Sequence, residues 1–327
     1  MNQALLLKLH RWITLVFALP LLIIIGTGLL LSFQPIVQTA AITPGAVTLP
    51  QLESLFAKYD PKSEARGLSI DPYENTLSLD GVGADGSTDV SLATGEEAED
   101  DSRLTEYFSA ARRIHRQILN RMNWLVNLST GAMLVLAALG IAMGWPRIRN
   151  NLSGWHKGTA WFLLPLVILS PLTGLFLAFN VTIGAAPPAR VEGGARSATG
   201  AGPTQARPKL LDVLKMVAGK HDLSSLVAIN VRGGRLLARV NDDGVLRAYT
   251  VTPQGLVAAP TNWARAIHEG TFAGIWSGLM NVITSIALLG LLFTGLTIWA
   301  RRKFRRLSPR NPARPGRSSA VDAAPAE

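Results

Sequence analysis

The sequence predicts a mainly α-helical membrane protein: a four-transmembrane-helix bundle built from a two-fold repeat, with two small α+β modules outside the bilayer. Three observations carry this. Four apolar runs, Trp12–Phe33, Trp124–Trp145, Trp155–Phe179 and Ile275–Trp299, each reach the length a helix needs to cross a membrane. All eight tryptophans lie at or near the ends of these runs, where interfacial aromatic belts form. The first and third runs also share residues at one constant offset: His10/His156, Thr27/Thr173, Gly28/Gly174, Leu29/Leu175 and Phe33/Phe179.

In chain order, residues 1–33 form the first span. Lys8 and Arg11 before an apolar stretch resemble a secretory leader, but the stretch is too long and no A-x-A site follows, so it reads as a retained helix. Residues 34–111 are the first outer module, with a short helix at Leu49–Lys58, strands around Gly67–Ile70 and Thr76–Leu79, and an acidic loop from Glu96 to Asp101. Residues 112–147 are the second span with an outer extension, and 155–181 the third span. Residues 182–265 begin with a Gly/Ala/Pro/Arg linker (Gly184–Pro208). A helix near Leu210–Lys220 follows, then strands at Val227–Val231, Arg235–Val240 and Leu246–Thr252. Residues 266–300 are the fourth span. The basic tail at 301–327 has the composition of a disordered segment. Because the repeating unit contains two spans, its copies run parallel about an axis along the membrane normal.

Charge orients the bundle. Lys8 and Arg11, then Arg147 and Arg149, then Arg301, Arg302, Lys303, Arg305 and Arg306 fall on one side if both termini are cytoplasmic. Arg112, Arg113, Arg116 and Arg121 lie on the other side and oppose that count without inverting it. The net charge of +10 is concentrated in the tail, with eight Lys/Arg against two Asp/Glu from Arg301 onward. Such a juxtamembrane run faces anionic lipid rather than nucleic acid. The chain has no cysteine, which excludes disulfides, thiolate-held iron–sulfur clusters, thiolate-ligated heme and c-type heme attachment.

Four of the five histidines each stand at one end of a different apolar run. His10 and His156 fall at the cytoplasmic ends of spans one and three. His115 and His268 fall at the outer ends of spans two and four. A two-fold repeat brings equivalent positions together, so each pair can meet one iron from opposite sides, and neutral imidazole is a good axial ligand. Single interfacial histidines often only mark a headgroup boundary; matched placement on four spans argues for a shared metal or heme role. Arg11, Lys157, Arg112 and Arg113 are candidates to meet heme propionates. His115 stands about 13 Å before Trp124 along a helix, so that helix is expected to project above the membrane and its site to lie at the outer rim. His221, in the second outer module, is read as a non-ligand. Gly28 and Gly174 permit either close helix approach or room for a porphyrin face. Pro20, Pro165 and Pro171 are read as kinks, and Asn127 and Asn281 as interhelical hydrogen-bond partners. The sequence has no Walker, Rossmann or zinc-protease motif and no nucleophile–base set.

The segments LHRWITL (Leu9–Leu15), IHRQIL (Ile114–Leu119), GWPR (Gly144–Arg147), WHKGTAW (Trp155–Trp161) and IHEGTFAGIW (Ile267–Trp276), with Thr294-Gly295-Leu296, resemble the PepSY-associated transmembrane family. That family includes iron-regulated inner-membrane proteins and ferric-siderophore reductases. The resemblance covers nearly the whole chain and implies PepSY-like periplasmic modules and a multi-pass location in the bacterial inner membrane. It also implies two b-type hemes on His10, His156, His115 and His268, and reduction of iron in a siderophore by an electron donor the sequence does not name. A rival expectation is a non-catalytic membrane regulator whose PepSY-like modules bind a protease or peptide. A metal-ion transporter is a third, and would set its ligands deeper in the bilayer.

Overall fold

A computed structural model describes residues 2–83, 86–98, 103–118, 121–146, 148–184, 209–232 and 235–307. The acidic loop beyond Ala98, the linker beyond Gly184 and the tail beyond Leu307 lie outside the described residues.

The described residues are mainly helical, and among them three helices are long and apolar enough to cross a membrane, with a fourth if one bent pair counts as a single span. Helix α1 (Gln3–Ala41) begins where the Asn2 side chain accepts from the Ala4 amide at 3.0 Å, and runs through Pro20 and Pro35 unbroken. Helix α4 (Asn123–Ala142) and helix α9 (Gly274–Leu307) are the other long apolar helices. The bent pair is α5 (Leu152–Phe162) and α6 (Leu164–Ala178), which meet at 64°. Pro165 opens α6, and a proline removes an amide donor and disfavours helix in the residue before it, so the kink expected there is a full break. Pro171 sits inside α6 and does not interrupt it.

The helix expected over 112–147 is divided. Helix α3 (Arg103–Gln117) ends at a turn in which Ile118 and Arg121 take positive φ values of 54° and 68°, and α4 starts afresh. On the other side of the bundle α8 (Trp263–Glu269) is closed by Gly270 in the left-handed conformation before α9 begins. His115 and His268, expected at the outer ends of spans two and four, therefore sit on separate helices of their own. Leu21 and Ile25 of α1, Met133 of α4, Val167 of α6, and Leu288 and Leu292 of α9 form the bundle core. At Gly278 the α9 backbone comes so near Ile36 of α1 that a Cβ would lie 2.6 Å from its Cγ1.

The two outer segments share one sheet. The first supplies α2 (Leu49–Tyr59), β1 (Gly67–Asp71), β2 (Thr76–Asp80) and β3 (Ser87–Ser91). The second supplies α7 (Leu210–Ala218), β4 (Leu226–Arg232), β5 (Arg235–Asp242), β6 (Val245–Thr252) and β7 (Gly255–Ala258). The seven strands are antiparallel in the order β3-β2-β1-β4-β5-β6-β7. The join is β1 to β4, with Leu68 opposite Ile229 and Ser69 opposite Ala228. Alternate residues point to one face, where Leu68, Ile70, Leu77, Leu79 and Val90 meet Leu226, Ile229 and Val240 beneath α2 and α7. Since both segments feed one core, neither half can leave without exposing the other's apolar face. Helix α2 starts with a capping box, Thr48 and Gln51 each bonding the other's backbone amide.

The β5–β6 hairpin fixes the sheet to the bundle. Its turn, Asp243-Gly244, takes positive φ at both positions (51° and 79°), as a tight two-residue hairpin requires. A Cβ at Gly244 would lie 2.6 Å from Gly274 Cα, so this turn presses directly on the start of α9. Beside it Asn241 donates to Thr39 Oγ1 at 3.1 Å, and Leu246 N to Thr271 O at 3.0 Å.

Candidate histidine-pair site

Helix α3 packs along α1 in the opposite direction. Arg112 donates to Gln34 Oε1 at 2.5 Å, and one turn later His115 reaches back to the Ile24–Gly28 turn. That turn lies about 8 Å inside the outer end of the apolar run ending at Phe33. His115 is thus inside the bundle, not at a projecting rim. The reason is the break after Gln117, which frees α3 from the axis of α4.

The ring has a defined tautomer. His115 Nδ1 is 3.0 Å from Ile24 O and 3.1 Å from Thr27 Oγ1. The Thr27 hydroxyl spends its proton on Ile23 O at 2.7 Å, so toward the imidazole it can only accept, as the carbonyl does. Nδ1 must therefore carry the proton, and Nε2 is left with a bare lone pair. Gly28 makes room for this: a Cβ there would lie 3.2 Å from His115 Cε1.

His268 repeats the arrangement. Its Nδ1 lies 3.2 Å from Ser170 O and 3.2 Å from Thr173 Oγ1, whose proton goes to Leu169 O at 2.8 Å. A Cβ at Gly174 would lie 3.0 Å from its Cε1. Helix α8 is held to α9 by Asn281, whose amide donates to Ile267 O and His268 O at 3.2 and 2.9 Å. Asn281 thus makes the interhelical bonds expected of it; Asn127 makes none among the described residues. The rings of His115 and His268 stand 6.1 Å apart between centroids, tilted by 42°.

At the other end, His156 on α5 places Nδ1 2.8 Å from Thr294 Oγ1 of α9, whose own proton goes to Gly290 O at 2.6 Å. Gly295 faces its Cε1 at 3.5 Å for a notional Cβ. His10 lies within electrostatic range of His156. Its Nδ1 is buried without a hydrogen-bond partner, although the Leu136 carbonyl is close by.

These residues suit one kind of group. No cluster of three or more His, Cys, Asp or Glu that could hold a metal ion occurs among the described residues. A bare zinc-like ion wants about four protein ligands, so two imidazoles alone serve it badly. A metal whose equatorial positions are filled by a macrocycle needs only two axial donors. Two metal–imidazole bonds of about 2 Å, plus the inner halves of two rings, span about 6 Å, which the centroid separation matches. Of the expected propionate partners, Arg11, Lys157, Arg112 and Arg113 are all exposed, and Arg112 is engaged with Gln34. His221 lies against Tyr249 in the sheet domain, with ring centroids 4.7 Å apart and planes tilted by 49°.

Thr27, Thr173 and Thr294 escaped the sequence reading as site residues, and so did the carbonyls of Ile24 and Ser170. The signal was present as a threefold Thr-Gly-Leu, but the pattern alone does not tell which helix face meets a histidine. The glycines, open between helix approach and ring space, face imidazole.

The α3 start is anchored in the sheet domain. The Glu74 carboxylate in the β1–β2 turn accepts from Thr105 N at 2.7 Å and Thr105 Oγ1 at 2.5 Å, while Tyr73 bonds Thr105 and packs edge-on against Phe108. Burial pushes the Tyr73 hydroxyl up to about 12, and burial with Glu74 and Asp89 nearby raises the Asp71 carboxyl above its ordinary range.

A family model described as the PepSY-associated TM region matches residues 7–302. No curated protein matches the chain.

Proposed function

The chain belongs to the PepSY-associated transmembrane family, and on that premise we propose that it is a bacterial inner-membrane electron-transfer protein that holds two b-type hemes and reduces ferric iron in siderophore complexes. The observation that carries the reading is the outer pair, His115 and His268. Two imidazoles with their Nδ1 protons given away stand 6.1 Å apart with no third metal-binding side chain among the described residues. In this reading the bundle is a two-fold repeat of four spans and the shared sheet is a pair of PepSY-like halves in the periplasm. Both termini are cytoplasmic.

Bound heme supplies one-electron chemistry. The protein's residues do the rest. His10 and His156 form the cytoplasmic-side ligand pair, and His115 with His268 the periplasmic-side pair. Along α1, His10 and the turn holding His115 are about 24 Å apart, so the pairs serve opposite leaflets. The apolar bundle core between them excludes water. A ferric ion held by hard oxygen donors loosens on reduction because the less charged Fe(II) binds them more weakly.

The test is an absorption spectrum of the detergent-purified protein, oxidised and dithionite-reduced, with heme counted per chain. Low-spin b-type bands at two hemes per chain support the proposal. A colourless protein after expression with added heme overturns it and favours the membrane-regulator reading.

A further inference from the structure

One local device recurs three times in this chain. A helix carbonyl at one position, a threonine three residues on and a glycine four residues on together receive an imidazole. In α1 these are Ile24, Thr27 and Gly28 around His115; in α6 they are Ser170, Thr173 and Gly174 around His268. In α9 the threonine is Thr294 and the glycine Gly295, around His156, with Leu291 the adjacent carbonyl. Each hydroxyl donates to the carbonyl one helical turn back, at 2.7 Å to Ile23, 2.8 Å to Leu169 and 2.6 Å to Gly290. It therefore turns a lone pair toward Nδ1. The glycine lets the ring lie flat enough on the helix to reach it. The wrong tautomer would set lone pair against lone pair and aim an N–H at the place a metal must occupy.

The fourth position breaks the rule. The carbonyl near His10 is Leu136, and counting on by three and four gives Leu139 and Gly140. The glycine is present but the hydroxyl is not, and a notional Cβ on Gly140 meets nothing within 4 Å. His10 Nδ1 is correspondingly buried and unpartnered. With no hydroxyl beside it, and the Leu136 carbonyl close by but outside hydrogen-bond geometry, its tautomer and ring angle are held less firmly than those of the other three.

We infer that Thr27, Thr173 and Thr294 are positioning residues that fix their histidines as Nδ1–H imidazoles, and that Leu139 leaves His10 less firmly set, so the two histidine pairs are inequivalent. The outer pair is doubly supported; the inner pair is supported only at His156. An imidazole whose Nδ1–H is given to an acceptor is a more basic ligand and favours the ferric state. The inner pair is therefore the weaker-binding and higher-potential one. This inference rests on the proposed heme function for its consequence, but not for its geometry.

Two measurements on the full chain in detergent test it. The first needs no heme: ¹⁵N spectra of histidine-labelled apo-protein, assigned by single His variants, read the tautomers directly. His115, His268 and His156 are expected as single Nδ1–H species and His10 as a mixture. Leu139→Thr is expected to convert His10 to the Nδ1–H form, and Thr294→Val to make His156 resemble His10, with Thr294→Ser restoring it. The second is hemin titration with potentiometry. Thr294→Val is expected to weaken the inner pair by about 10- to 100-fold; Leu139→Thr is expected to tighten it and lower its midpoint potential, leaving the outer pair unmoved. An Nδ1–H His10 in the unaltered chain, or a Thr294→Val protein with unchanged tautomers, overturns the inference. A chain that binds no hemin yet shows the expected tautomers sinks the heme function while leaving this assignment standing.

Discussion

Replacing Gly174 by alanine tests the histidine geometry most sharply, because the fold itself should gain while the site loses. Alanine in a helix interior is favoured over glycine by about 1 kcal/mol, so α6 is expected to be no less stable. The new Cβ would stand 3.0 Å from His268 Cε1, whereas carbon atoms rest at about 3.5–4.0 Å. The ring must retreat by about 0.5 Å or more. Its Nδ1 contacts, both already 3.2 Å, then pass the limit of a useful hydrogen bond. Losing one such bond costs about 0.5–1.5 kcal/mol, and a ligand displaced by 0.5 Å is at the edge of tolerance, so hemin affinity of the outer pair should fall about tenfold. The clearances at Gly28 (3.2 Å) and Gly295 (3.5 Å) predict a graded series, with Gly174→Ala worst, Gly28→Ala intermediate and Gly295→Ala nearly silent. Gly26, two residues from Gly28 with nothing within 4 Å, is the control. Hemin titration followed by difference spectra, with thermal melts alongside, reads both effects. Equal losses across the series, or full affinity in Gly174→Ala, would refute the reasoning.

Other outcomes follow from the same geometry. Glu74→Ala removes the carboxylate that receives both Thr105 groups; at about 1.5–3 kcal/mol for a bond to a charged group, α3 should loosen. Hydrogen exchange should rise in 103–118, and hemin affinity should fall at the outer pair but not the inner. Asn281→Leu unties α8 from α9 and should lower affinity at the outer pair with little change at the inner, checked by titrating that variant in a His10→Ala background for the outer pair and a His115→Ala background for the inner. Asp71 has a folded-state pKa raised by burial, so the native state binds a proton more tightly than the unfolded chain. Stability is therefore lost as pH climbs from about 3.8 through that raised value, and at neutral pH the ionised side chain is a burden. Asp71→Asn should raise the melting temperature at pH 7 and flatten the acid side of the stability profile; a lower melting temperature at pH 7 would count against this.

The long apolar spans and the four histidines were legible because length, apolarity and repeat offset are local properties of the sequence. The joined sheet was not. Nothing in the neighbourhood of Leu68 announces Ile229 as its partner, and each outer segment alone has enough alternation to pass for a complete small module. Two strands went unread for simpler reasons. β3 is Ser-Thr-Asp-Val-Ser with Val90 its one buried residue, and β7 has four residues. The bend at Leu163 was announced by Pro165, while the break after α3 was marked only by Asn120, a much weaker signal than a proline. Its left-handed residues among those described are Ile118 and Arg121, neither of them glycine, proline or asparagine.

That break explains how His115 and His268 come together. A straight helix through 112–147 would carry His115 along the same axis as α4, well above Trp124, with no partner helix at that height. With the chain broken, α3 lies against α1 and α8 against α6. Their imidazoles come from opposite sides of the bundle and converge to 6.1 Å. The cost is conformational: Ile118 is β-branched and sits at φ 54°, where an L-residue loses roughly 1–2 kcal/mol. The compensation is visible in the anchors at both ends of α3, Glu74 and Tyr73 on Thr105 at its start, Ile24 and Thr27 on His115 near its end. A helix tied at both ends to different domains links them mechanically.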